Sequence, residues 1–351
     1  MNQLDSAEEH KLAIENLGNS VAAKKENVVA YCVMNSMNRR AFLEKLSLAT
    51  AGSLFAGRAP AVLAQSSSDP HISFPSDPRD RIAIPSYPFR AFIVSPNNRE
   101  RDDDSPGMNL LEFPAHVVAK FHVHNIEPLS SHFTSVEWDY LDDFRKAMQK
   151  ARVRAVNIAV GISRSFYDSD SSARQMAVAS AKHWVDVAER IGSPGIRAHI
   201  ASTKDSAPDV GRAAESLRAV AQYGAEKNVV ITLENDDLVS EDAFFIVKVI
   251  EAVNHPYLHA LPDFANSMMK GDPDFDYRAL QAMFQHAYNI CHVKDGETND
   301  DGKLLTVDLK KSFDILKASG YRGYCSMEYD STGDPYAPTA KLIEQTIKYL
   351  S

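Results

Sequence analysis

The fold is decided by a stretch that reads Val230-Ile231-Thr232-Leu233-Glu234-Asn235-Asp236, in which apolar and β-branched residues lead into carboxylates. Three later stretches have the same form and end near Asp263, His292 and Glu328. The four side chains are separated by 29, 29 and 36 residues, and each separation is the length of about one strand-helix unit. We therefore predict four consecutive parallel strands that present these side chains at one edge of a sheet.

Outward from these strands, Val- and Ile-rich runs alternate with helical segments over residues 81–351. One helical segment spaces Ala181, Val185 and Ala188 by three and four residues, as an amphipathic helix requires. Eight such units predict an α/β fold, a (β/α)8 TIM barrel, over the alternative of an open doubly wound sheet, because no glycine-rich loop follows the first strand. The predicted strands are residues 82–86, 125–129, 155–160, 196–200, 229–234, 259–263, 289–294 and 324–329.

Composition limits the class of protein. The 351 residues carry 47 acidic and 38 basic side chains, a formal charge of −9, which argues against a nucleic-acid partner. The three cysteines, Cys32, Cys291 and Cys325, lack the spacing of a thiolate zinc site. By the alternation of side chains along a strand, Cys291 and Cys325 should point outward from the barrel as buried thiols, and we expect no disulfide. A metal would therefore need nitrogen and oxygen ligands.

The amino-terminal region has the pattern of a leader. Arg39-Arg40, a short uncharged run and the small residues of 61–64 resemble a twin-arginine export signal, although the basic start of an ordinary amphipathic helix is an alternative. The uncharged run is too short to span a membrane. We expect 1–36 to be an upstream extension, 37–64 the signal peptide, 65–80 a polar lead-in and 81–351 one barrel domain, in a periplasmic protein.

The four strand-end side chains, Glu234, Asp263, His292 and Glu328, form a candidate metal site of three oxygens and one nitrogen. Such a donor set suits one divalent ion, with Mn²⁺ expected and Mg²⁺, Co²⁺ or Zn²⁺ as alternatives. The competing interpretation is that acids at strand ends cap the following helices, which we expect of Asp236 and Asp295.

The order of these ligands, together with His292-Val293-Lys294-Asp295 and Met327-Glu328-Tyr329-Asp330, resembles the sugar isomerase and epimerase family of xylose-isomerase-like barrels. The resemblance covers nearly all of 81–351. It implies that the four side chains bind the metal and that Glu234 and Glu328 also act as the acid and base.

Other residues are candidates for substrate contacts. Lys294 is expected to be catalytic, by binding a substrate hydroxyl or a developing enediolate oxygen, or else to form a salt bridge. Asn266 stands where many family epimerases and endonucleases carry a histidine, which disfavours a multinuclear endonuclease. The expected substrate-binding residues are Arg197, His199, Asn266, Glu127 and His132, and a buried histidine is the alternative for His199.

These residues predict a metal-dependent sugar isomerase or epimerase that abstracts a proton next to a carbonyl and forms an enediolate. The nearest alternative is a dehydratase or lyase acting on a keto-sugar, an inosose or a 3-keto-glycoside. An apurinic-site endonuclease and a non-catalytic sugar- or metal-binding barrel rank lower, the latter because both glutamates are intact. The expected partner is a small sugar or polyol, with no membrane span.

Overall fold

The computed structural model describes residues 68–351 except Asp205, Asp300 and Thr332, and the leader predicted for 1–64 lies outside this range. Eleven strands alternate with eight α-helices in the described part of the chain. The strands are β1 (Ile82–Pro85), β2 (Asn125–Glu127), β3 (Arg154–Ala155), β4 (Ala159–Val160), β5 (Gly195–Ala198), β6 (Val230–Glu234), β7 (Leu258–Leu261), β8 (Ile290–Val293), β9 (Gly296–Thr298), β10 (Leu304–Thr306) and β11 (Tyr324–Met327). The helices are α1 (Phe113–Phe121), α2 (Trp138–Ala151), α3 (Ser171–Ile191), α4 (Val210–Lys227), α5 (Ala243–Val253), α6 (Pro273–Phe284), α7 (Leu309–Ala318) and α8 (Tyr336–Leu350).

Parallel pairing closes the strands into a barrel. One group has the order β3-β2-β1-β11-β8 and the other β4-β5-β6-β7. Parallel bridges join the groups, from Leu129 to Ala159 on one side and from Asp263 to His292 on the other. The predicted (β/α)8 barrel is confirmed.

The third predicted strand is interrupted, and β3 and β4 are its two ends. Between them the backbone changes partner, because the Val156 amide donates to Ile126 of β2 whereas the Ile158 amide donates to Gly195 of β5. The side chain of Asn157 lies at this change and is fully buried. Strand β9 pairs with β10 in an antiparallel hairpin outside the barrel.

The helices pack their predicted apolar faces on the strands. Ala181, Val185 and Ala188 of α3 are all fully buried. Aspartates begin several helices, and Asp242 accepts hydrogen bonds from the first amides of α5. The prediction that Asp236 caps this helix is wrong, because the helix begins at Ala243. Asp295 caps no helix either, since Asp308 begins α7.

The amino-terminal end of the barrel is covered by the lead-in. Phe74 packs edge-on against Tyr288 and Tyr324, with ring centroids 5.3 and 5.8 Å away. It lies against a small apolar cluster of Ala83, Val156, Leu261, Ile290 and Tyr324. The lead-in from residue 68 onward therefore packs against the barrel. The predicted domain boundary at residue 81 had left this segment out of the barrel domain. In the part of the chain described, no helix is long and apolar enough to cross a membrane.

Candidate metal centre and active site

The four predicted ligands meet at the carboxyl end of the barrel. Glu234 is the last residue of β6, His292 lies in β8, and Asp263 and Glu328 follow β7 and β11. One ligand atom from each of the four lies within 4.8 Å of the others. All four side chains are buried. The alternation of side chains explains this arrangement, because Leu261 and Ile290, two residues before Asp263 and His292, face the same barrel interior.

Asp263 is held in place by Asn235, which follows β6, and by the backbone amides that come just after it. The Asn235 side chain accepts a hydrogen bond from the Asp263 amide at 2.8 Å and donates one to its carbonyl at 3.2 Å. Asp263 Oδ1 in turn accepts from the amides of Ala265 and Asn266. The carboxylate is therefore fixed in direction before any ligand binds.

The other oxygen of Asp263 indicates that a cation belongs here. Oδ2 is buried and has no hydrogen-bond partner among the described residues. Burial raises the pKa of Asp263 well above its usual value, and the neighbouring Glu328 and Glu234 raise it further. Three buried carboxylates this close together are costly unless positive charge compensates them. The donor set therefore fits a divalent metal ion held by Glu234, Asp263, His292 and Glu328.

The imidazole of His292 lies between two groups of carboxylates. Its Nδ1 is 2.7 Å from Glu234 Oε1 and 2.7 Å from Glu328 Oε2. Its Nε2 is 3.1 Å from Glu127 Oε2. Burial lowers the pKa of His292, but the charges of Glu234, Glu328 and Glu127 outweigh burial and raise it well above the usual value. The ring is therefore placed to offer Nδ1 to a metal ion.

Each of the two glutamates faces its own cation. Arg197 Nε lies 2.9 Å from Glu234 Oε2. Lys294 Nζ lies 3.1 Å from Glu328 Oε1 and also donates to Asn266 Oδ1 at 2.8 Å and Glu297 Oε2 at 3.1 Å. Burial lowers the pKa of Lys294, but Asp263, Glu328, Glu297 and Asp330 together raise it well above the usual value. The salt bridge considered for Lys294 is thus present, at the site itself.

A cavity of about 290 Å³ opens over the cluster. Its wall contains His292 and Glu328 together with four other predicted site residues, Glu127, Arg197, Asn266 and Lys294. It also contains Glu297 and Asp330, which were not among the predicted site residues. Asp330 could have been predicted, since it ends the motif that contains Glu328. Glu297 could not, because it lies in the β9–β10 hairpin, whose sequence shows no apolar periodicity.

Two further predicted substrate-binding residues, His132 and His199, do not line this cavity. His132 is fully buried, with Nδ1 2.8 Å from Ser86 Oγ, and burial lowers its pKa to about 3. The substrate contact expected at His132 stays a prediction, and its buried ring is hydrogen-bonded to Ser86, which follows β1. His199 Nδ1 lies 2.8 Å from Glu241 Oε2, and its role toward substrate stays a prediction.

The comparison with protein families now identifies the fold family. Residues 118–351 match the xylose isomerase-like TIM barrel. The chain belongs to this family. A search of curated proteins found no match.

Solved structures show the same barrel at low identity. A 3-keto-D-glucoside 4-epimerase from E. coli is 15% identical, with a TM-score of 0.57 over 76% of this chain and 98% of the other. An L-ribulose 3-epimerase is 16% identical, with a TM-score of 0.59 over 77% and 95%. A xylose isomerase-like TIM barrel protein from Mycobacterium smegmatis, solved in complex with magnesium, is 15% identical, with a TM-score of 0.58 over 77% and 96%.

Two further features of this xylose isomerase-like barrel follow from its strands. Cys291 and Cys325 lie opposite each other on β8 and β11 as buried free thiols, with Sγ atoms 3.7 Å apart, as predicted. Glu234 and Glu328 both lie 2.7 Å from His292 Nδ1, and Glu328 also lines the cavity. A pair of carboxylates with different cationic neighbours can remove a proton and return it.

Proposed function

We propose that this protein is a divalent-metal-dependent sugar epimerase or isomerase, which works by proton abstraction next to a carbonyl. The observation that carries the proposal is that two buried glutamates belong to a cluster of four candidate metal ligands, next to a cavity of about 290 Å³. That volume is at the lower end of the range for small-molecule pockets, about 300 to 1,000 Å³. Two of the similar structures are named as sugar epimerases, which supports the substrate class.

The chemistry depends on what the side chains can do to a bound sugar. A bound divalent ion would polarise the substrate carbonyl and acidify the adjacent C–H. One of Glu234 and Glu328 removes that proton, and an enediolate forms. The ammonium of Lys294, 3.1 Å from Glu328, stabilises developing negative charge on a substrate oxygen. The second glutamate returns the proton, to the same carbon in an epimerase and to the neighbouring carbon in an isomerase.

Arg197 and Asn266 would have different tasks in this reaction. Arg197 keeps its charge near neutral pH, and its Nε lies 2.9 Å from Glu234 Oε2, so it supplies a fixed positive charge beside that glutamate. Asn266 is hydrogen-bonded to Lys294 and offers its remaining amide hydrogens, which have no partner among the described side chains and backbone, to a substrate hydroxyl. We include both among the substrate-facing residues.

The experiment that tests the proposal is proton NMR in D2O with purified protein loaded with Mn²⁺ and a panel of keto sugars and 3-keto glycosides. We expect deuterium to enter at a carbon next to the carbonyl, together with a product of changed configuration or a shifted carbonyl. A product that has lost water or a glycosyl group would instead establish the dehydratase or lyase. Metal-loaded protein that exchanges no proton on any of these substrates would contradict the proposal.

A further inference from the structure

We infer that Glu127 positions His292 for metal binding, as the outer carboxylate of a carboxylate-histidine-metal arrangement. The inference rests on the metal centre of the proposed function. It changes the role of Glu127, which the sequence indicated as a substrate contact, to that of a positioning residue.

The orientation of the His292 ring supports this assignment. Nδ1 faces Glu234 and Glu328 at 2.7 Å each, so it is the nitrogen that can share a metal ion with them. Nε2 is on the other edge of the ring and faces both oxygens of Glu127, at 3.1 and 3.2 Å. A histidine that binds metal through one nitrogen carries its hydrogen on the other and donates it. Glu127 is the acceptor in place for that hydrogen.

Glu127 is itself fixed by one donor from β11 and one from the interruption between β3 and β4. Ser326 Oγ of β11 donates to Glu127 Oε2 at 2.6 Å, and Asn157 Nδ2 donates to Oε1 at 2.8 Å. Ser326 lies directly opposite His292 in the pairing of β11 with β8. Because both carboxylate oxygens already have partners, Glu127 has little capacity left for a substrate hydroxyl, although it forms part of the cavity wall. Its side chain is only 1% exposed.

The physical consequence is a fixed tautomer and a more basic ligand. An anionic acceptor at Nε2 holds the hydrogen there and leaves the lone pair of Nδ1 directed at the metal cluster. Loss of such a carboxylate weakens metal affinity by roughly 10- to 100-fold in proteins of this kind.

Titration calorimetry of the metal-free protein with Mn²⁺ tests the inference through binding alone. Glu127→Ala should raise the Kd for Mn²⁺ at least about tenfold. Glu127→Gln should raise it less, because the amide oxygen still accepts the Nε2 hydrogen but lacks the charge. The matched control is Asp276→Asn, which neutralises a buried carboxylate of α6 that belongs to no cluster of possible metal ligands among the described residues. This control should bind Mn²⁺ as the unaltered protein does.

A second readout reports on the ring itself. ¹⁵N NMR of histidine-labelled protein loaded with diamagnetic Mg²⁺ should show a hydrogen-bonded Nε2-H of His292 in the unaltered protein, and its ¹H and ¹⁵N shifts should move toward those of an unpaired imidazole N–H in Glu127→Ala. If Glu127→Ala does not fold, the near-isosteric Glu127→Gln keeps the test. Unchanged Mn²⁺ affinity in both variants, or a raised KM with unchanged affinity, would overturn the inference. Failure of the unaltered protein to bind Mn²⁺ would instead refute the metal centre of the proposed function.

Discussion

Single residues decide how the acid-base work is divided at this site. Glu234 is paired with the planar guanidinium of Arg197, whereas Glu328 is paired with the compact ammonium of Lys294, which also binds Asn266 and Glu297. The two glutamates therefore have different electrostatic surroundings. A difference between the two carboxylates is what a proton transfer in both directions needs.

Replacing Glu328 separates metal binding from proton transfer. Glu328→Gln retains an oxygen that can bind the metal but loses the ability to carry a proton, so turnover should fall at least about a hundredfold. Mn²⁺ affinity should fall less than in His292→Ala, which removes the only nitrogen ligand. Calorimetry and a turnover assay check both values.

Deuterium exchange in the same variant assigns the role of Glu328. If this residue is the base, exchange stops. If it is the reprotonating acid, exchange continues while net conversion stops. Near-normal conversion by Glu328→Gln with metal bound would show that the residue moves no proton in the reaction.

The buried carboxyl of Asp276 gives a second prediction at this scale, one about stability and pH. It lies in the first turn of α6, and neither oxygen has a hydrogen-bond partner among the described residues. Burial raises its pKa from 3.8 to about 7, an effect that Lys311 opposes. Between these values the folded protein holds a proton that the unfolded chain releases, so this group contributes less stability as pH rises through that window.

Asp276→Asn removes this dependence, because the amide is neutral in both states. Relative to the unaltered protein, the variant should gain in free energy of unfolding as pH rises from 5 to 8. Urea unfolding at several pH values measures the difference, and Asp274→Asn, an exposed carboxylate in the same turn, is the control. A difference that stays constant with pH would contradict the assignment.

At the scale of elements, much of the barrel could be predicted because its signals are local. Runs of branched residues and helical spacing depend on neighbours in sequence, and the eight strands were found to within about one or two residues. The interruption at Asn157 could not be predicted, since it depends on the backbone changing partner from β2 to β5. The hairpin of β9 and β10 was missed because its partly exposed residues have no apolar alternation.

The site follows the same division. Ligands at strand ends were foreseeable, because parallel strands end at one edge and bring Glu234, Asp263, His292 and Glu328 together. The side chains that contact each ligand could not be predicted. Spacing along the chain does not show that Glu127 of β2 contacts His292 of β8. Glu127 was therefore expected to contact substrate.

The lead-in offers a prediction about an element that covers the barrel. Phe74→Ala removes ring contacts with Tyr288 and Tyr324, and it should lower the free energy of unfolding by about 1 to 3 kcal/mol, less than for a fully buried phenylalanine. The control is Trp138→Ala, because that ring is 64% exposed and should cost less than about 1 kcal/mol. Denaturant unfolding of both variants gives the comparison. Equal losses would show that the lead-in does not stabilise the barrel.

For the whole molecule, we propose that the chain is exported in folded form to the periplasm. Replacing Arg39-Arg40 with Lys-Lys should leave the protein in the cytoplasm with an uncut leader, because lysine does not reproduce the paired guanidinium groups. Cell fractionation and the mass of the mature chain measure this. Periplasmic recovery unchanged by the substitution would refute the leader assignment.

Metal binding should also stabilise the whole molecule, since four strands contribute to one cluster. Without a metal ion, the buried carboxylates contributed from β6, β7 and β11 repel one another beside His292 of β8, so chelation should lower the melting temperature and Mn²⁺ should restore it. At a metal concentration of one hundred times Kd, the gain is about 2.7 kcal/mol, which corresponds to several degrees in a barrel of this size.

The same experiment distinguishes this cluster from a merely acidic surface. The purified protein should contain about one divalent ion per chain by elemental analysis, and His292→Ala should abolish most of the thermal shift because the cluster loses its nitrogen ligand. Exposed carboxylates elsewhere are unaltered in that variant, so non-specific binding would leave the shift intact. No bound metal, together with no stabilisation by Mn²⁺, Mg²⁺, Co²⁺ or Zn²⁺, would refute the metal centre and leave the four side chains paired among themselves and with Arg197 and Lys294.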